Sequence, residues 1–81
     1  MEKVKILWTD DEIDLLVPHI LFLEGKGYSV SKARSGDEAI DLYKSNVFDI
    51  VFLDENMPGL SGLETLSEIK EKKSSVPVIM I

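Results

Sequence analysis

Four strand-length apolar runs, separated by three stretches of helical spacing, leave this chain very few folds to choose from. The runs are Val4–Trp8, Tyr28–Ala33, Phe48–Leu53 and Val76–Ile81. Between the first two, Ile13, Leu16, Val17, Ile20, Leu21 and Leu23 recur at helical spacing from Glu12 to about Lys26. Ala39, Ile40, Leu42 and Tyr43 mark a second helix ending near Asn46, and Leu63, Leu66 and Ile69 mark the inward face of a third. An unbroken βαβαβαβ alternation implies a parallel sheet wound with helices on both faces. Ile50–Leu53 has no polar interruption, which predicts a central strand buried on both sides. Tyr28–Ala33 alternates with polar residues, as a sheet edge does.

Local signals place the helix ends. Asp10 or Asp11 can cap the first helix and Gly27 suits its C-terminus. Pro18 lies within that helix, where a missing backbone donor predicts a kink. Ser35-Gly36-Asp37-Glu38 and Ser61-Gly62-Leu63-Glu64 read as capping boxes. Lys70, Lys72 and Lys73 complement the negative end of the third helix.

Acidic residues stand at the ends of two strands: Asp10 and Asp11 after the first, Asp54 after the third. Loops following parallel strands emerge at one edge of the sheet, where ligands bind. Carboxylates gathered there repel, each pair by about 4 kcal/mol at ~4 Å and an effective dielectric of 20. A hard divalent cation such as Mg²⁺ relieves that repulsion with oxygen ligands.

Composition narrows the function. Fifteen acids against nine bases give a formal charge of −6, which argues against a nucleic-acid surface and suits a cation or a basic partner. There are no cysteines, so disulfides, thiol catalysis and zinc–thiolate sites are excluded, and the chain fits a cytoplasmic protein. No run approaches the roughly 18 apolar residues of a membrane helix. His19, the single histidine, lies within a helical pattern and makes a histidine-based metal site improbable. Neither common Gly-rich phosphate loop is present.

Asp10-Asp11-Glu12 after strand one, Asp54-Glu55-Asn56-Met57-Pro58-Gly59 after strand three, and Ser61-Gly62 before helix three resemble the CheY-like receiver domain of two-component response regulators. The resemblance spans all 81 residues in order and spacing. It implies a flavodoxin-like sheet in the order 2-1-3-4 for the strands present. It makes Asp54 the phosphoacceptor for a sensor histidine kinase and implies that Mg²⁺ is held directly by Asp11, Asp54 and the carbonyl of Asn56, and by Asp10 mostly through water. Glu12, Met57, Pro58 and Gly59 become supporting residues, and the Asn56 side chain stands where it could affect phosphate lifetime. Trp8-Thr9 departs from the family's aliphatic residues and alters packing beside the site. The first helix, with Pro18-His19-Ile20-Leu21-Phe22-Leu23, is also similar to PorX-type regulators of bacterial type IX secretion, in which the receiver precedes an alkaline-phosphatase-like output domain.

Measured against that family, residues 1–81 form an N-terminal, partial receiver domain that lacks the last helix-strand-helix portion. The family's Ser/Thr after strand four and its Lys after strand five have no counterpart in these residues. The expectations are retained Mg²⁺ binding, impaired phosphotransfer within the 81 residues, and self-association through an open fourth-strand edge. Two other readings differ in class. A haloacid-dehalogenase phosphatase needs a second Asp two positions after its nucleophile, where Glu12 and Asn56 stand instead. A pseudo-receiver would use the same acids only as caps and surface charge.

Overall fold

The computed structural model describes residues 3–55, 62–72 and 75–81. Strands β1 (Lys5–Thr9), β2 (Ser29–Ala33), β3 (Ile50–Leu53) and β4 (Val78–Met80) form one parallel sheet in the order β2-β1-β3-β4. Helices α1 (Val17–Gly25), α2 (Gly36–Ser45) and α3 (Gly62–Lys72) connect them. This is the doubly wound, flavodoxin-like arrangement the alternation implied, with β2 at an edge and β3 inside.

The two faces are covered unequally. Leu7, Val51 and Leu53 pack with Ala39 and Tyr43 of α2, Ile69 of α3, and Phe48 and Val76 in one buried cluster. The Tyr43 and Phe48 rings stack with centroids 6.3 Å apart. The opposite face carries Ile6, Trp8 and Phe52, with α1 beside it. There Ile6 is buried, while Ile50 and Phe52 are only half-buried. The uninterrupted apolar run of β3 is therefore central without being sealed on both sides. Among the described residues α1 shields only part of that face, beside a groove lined by Trp8, Pro18, His19, Phe22, Leu23 and Phe52.

The first helix also differs from its pattern. A 3-10 turn occupies Ile13–Leu16, and α1 starts only at Val17, with Pro18 in its first turn. Proline has no N–H to donate four residues back, a loss that costs nothing in a first turn. A fresh helix start thus replaces the expected kink. The break also turns Val17 (39% exposed) and Leu21 (60%) away from the core, leaving Ile13 and Ile20 inside. The C-terminus closes as expected. Gly27, at φ +97°, donates to the Glu24 carbonyl and Tyr28 donates to that of Leu23, a Schellman pair.

Ser35 caps α2 by accepting the Glu38 N–H at 3.1 Å. The Ser61 box and Lys73 lie outside the described residues. In α3, Leu63 faces outward at 70% exposure, while Thr65 and Ile69 are buried. The rotation has a cause in Gly62, whose backbone abuts the end of β3 and brings positions 62, 65 and 69 onto the sheet side. Lys70 does more than complement the helix end: its ammonium donates to the Val76 carbonyl and ties α3 to the approach of β4.

Candidate metal centre

In the order β2-β1-β3-β4 the chain reverses direction across the sheet between β1 and β3. The carboxyl ends of those two strands border the crevice where open α/β sheets take ligands. Asp10 and Asp11 follow β1 and Asp54 follows β3. The ladder continues one residue past the strands. Asp54 N–H donates to the Thr9 carbonyl at 2.9 Å, and Asp10 N–H donates to that of Ala33 at 3.0 Å. Both backbones are thereby fixed to the rigid sheet.

Oxygens of Asp10, Asp11 and Asp54 all lie within 4.8 Å of one another. Asp54 is far in sequence from the adjacent Asp10 and Asp11, and the sheet brings the three together. Asp10 and Asp54 are half-buried and Asp11 is exposed. The Asp10 carboxylate accepts the Glu12 N–H at 2.9 Å and its carbonyl accepts the Ile13 N–H, so it anchors the turn into the 3-10 segment. Burial pushes the Asp10 carboxyl above its ordinary range. The Glu12 hydrogen bond opposes that shift, and the charges of Asp54 and Asp11 add to it.

The donor set fits a hard cation. Three carboxylate oxygens this close together are the hard ligands Mg²⁺ takes, alongside the waters it usually keeps. Without an ion, a carboxylate pair at 4.8 Å repels by about 1 kcal/mol in water and about 3 kcal/mol at an effective dielectric of 20. Asp10→Asn keeps the acceptor for Glu12 and removes one charge. The variant is therefore expected to melt higher than wild type at neutral pH without metal and to bind Mg²⁺ more weakly. A raised folded-state pKa means that the native state disfavours the charged form. The wild-type penalty, and the gap in melting temperature, should shrink as pH falls through the raised value toward the ordinary 3.8. Thermal melts across that range check it, and a variant less stable than wild type at neutral pH would contradict it.

The remaining site residues divide as follows. Glu12 is exposed and contributes its backbone N–H. Asn56, Met57, Pro58 and Gly59 lie outside the described residues. His19 is exposed on α1, away from the acids in role. Thr9 is fully buried, and its hydroxyl has no hydrogen-bond partner among the described residues. Trp8 packs against Phe52 at 5.2 Å between centroids, each ring two residues before a site aspartate. Two features had no signal in the pattern: the close approach of Gly62 to the Asp54 carbonyl, and an ion pair between Asp14 and Arg34.

Three carboxylates gathered at the switch point of a flavodoxin-like sheet are the frame of a signalling-domain family. The chain belongs to the response regulator receiver domain family, whose pattern matches residues 6–81. It is 39% identical over 80 residues to the transcriptional regulatory protein ZraR of Klebsiella oxytoca, covering 99% of this chain and 18% of that protein. It is 40% identical over 81 residues to the uncharacterized transcriptional regulatory protein YkoG of Bacillus subtilis, covering all of this chain and 36% of that one. Among solved structures, the response regulator TrrA of Thermotoga maritima in complex with Mg²⁺ and BeF superposes with a TM-score of 0.86 at 38% identity, over 99% of this chain and 68% of that one. TrrA has also been solved in complex with the histidine kinase ThkA. The chain spans well under half of ZraR and of YkoG. The family places it among signalling domains and leaves the phosphatase alternative without support. No helix among the described residues is long and apolar enough to cross a membrane.

Proposed function

We propose that this domain accepts a phosphoryl group on Asp54 from a histidine of a sensor kinase, in the cytoplasm, and acts as a signalling element rather than an enzyme. The observation that carries the reading is the convergence of Asp10, Asp11 and Asp54 within 4.8 Å at the switch point. Mg²⁺ held by these three and by the Asn56 carbonyl would neutralise charge on the transferring oxygens. An Asp54 carboxylate oxygen forms the new bond to phosphorus as the phosphorus–nitrogen bond breaks, and the electron pair returns to the imidazole. Asp10 and Asp11 stay unmodified, and without a cation the three acids would leave the approach path wholly anionic. TrrA, solved with both Mg²⁺–BeF and a kinase, supports the metal and the partner by likeness. The PorX-type resemblance carries no part of this proposal.

Phosphotransfer from a histidine kinase to the full-length protein, read by intact mass, tests it. Wild type should gain one phosphoryl group in Mg²⁺ and Asp54→Asn none. Equal labelling of both would move the acceptor elsewhere.

The same reading includes self-association of the 81-residue chain through β4. Ile79 (42% exposed) within β4 and Ile81 (50%) just after it belong to a strand whose single sheet neighbour among the described residues is β3. Such an edge invites pairing with another chain. Light scattering should show dimers at high concentration; a monomer throughout would contradict it.

A further inference from the structure

We infer that the Arg34–Asp14 pair is a positioning clamp for Asp11, an inference that rests on the metal-site reading above. The Arg34 guanidinium grips the Asp14 carboxylate with both arms, at 2.8 and 3.0 Å. Both side chains are largely exposed, 57% and 73%. An ion pair in that setting adds little to stability. Its two-point geometry, by contrast, fixes relative position.

What it fixes is the arc of chain that carries the acids. At one end, Asp10 N–H is bound to the Ala33 carbonyl. Arg34 follows Ala33 directly and reaches across to Asp14 at the other end of the arc. The backbone from Asp10 to Asp14 is therefore closed into a ring by one main-chain bond and one fork. Asp10 has two further restraints of its own, through Glu12 and Ile13. Asp11 is exposed and has no such bond among the described residues. Its carboxylate depends on the ring for its place beside Asp10 and Asp54. Asp14 is held below the usual carboxylate range by the hydrogen bonds from Arg34, so the fork persists at neutral pH.

Charge alone makes the opposite forecast for part of the series. If Arg34 acted only as a cation near three acids, Arg34→Ala would strengthen Mg²⁺ binding and Arg34→Lys would leave it unchanged. A clamp needs the fork, which lysine does not supply. Mg²⁺ titration by calorimetry on wild type, Arg34→Ala, Arg34→Lys and Asp14→Asn separates the two, with circular dichroism confirming that each variant is folded. The clamp predicts that all three weaken binding by about threefold, and that Arg34→Ala combined with Asp14→Asn is no worse than either alone. Arg34→Lys equal to wild type, or Arg34→Ala tighter, would overturn it. Absence of Mg²⁺ binding by folded wild type would instead overturn the metal site and the clamp with it.

Discussion

Gly62→Ala is expected to destabilise the domain by about 2 kcal/mol and to weaken Mg²⁺ binding by about tenfold. Alanine at a helical position ordinarily stabilises relative to glycine by up to about 1 kcal/mol. Here a Cβ would lie 2.6 Å from the Met80 methyl, 2.7 Å from the Asp54 carbonyl oxygen and 3.0 Å from the Glu55 Cα. The methionine can yield; the backbone of Asp54 and Glu55 is tied to Thr9 and the sheet. The helix start must move, or Asp54 must, and a shift of Asp54 opens the acid cluster. Glycine serves here through close approach, since Gly27 is the position that needs positive φ. Chemical denaturation and calorimetry check both effects. Combining the change with Met80→Ala should recover only part of the loss, because the Asp54 contact remains. A Gly62→Ala protein as stable as wild type would show that α3 has room to retreat.

The second large effect concerns the cation. A ligand that binds only the folded state at 100 times its dissociation constant stabilises by about 2.7 kcal/mol. For a domain this small, that corresponds to a rise in melting temperature on the order of 10 °C. Wild type should show it in saturating Mg²⁺ and lose it in excess chelator. Asp11→Asn should abolish it while leaving the metal-free fold intact, because Asp11 is exposed and its side chain supports no other element. A Mg²⁺-dependent rise of equal size in Asp11→Asn would remove Asp11 from the ligand set.

Much of this architecture was legible because the strand and helix periods differ and never overlap along the chain. The order of elements, the edge position of β2, the Ser35 cap and the Gly27 terminus all followed from local chemistry. The acid cluster was legible for a related reason: parallel strands put their following loops at one rim, so Asp10, Asp11 and Asp54 had to meet. Helix rotation was not legible. Val17, Leu21 and Leu63 fit the apolar spacing, yet they point outward. Pro18 restarts the first helix through its own backbone chemistry and the Gly62 contact sets the roll of α3, and neither is carried by the apolar period. Arg34 and Asp14 belong to no motif, and nothing in their spacing announces that a fork joins them.

The most direct test of the central claim is to locate a bound divalent ion by its magnetism. Mn²⁺, a paramagnetic substitute with the same preference for oxygen, should be added in small amounts while backbone amide resonances are followed. The signals of Asp10, Asp11, Glu12 and Asp54 should broaden first and recover on competition with Mg²⁺. Broadening centred instead on the outward acids of α3, Glu64, Glu68 and Glu71, with those four signals sharp, would contradict the shared site between β1 and β3.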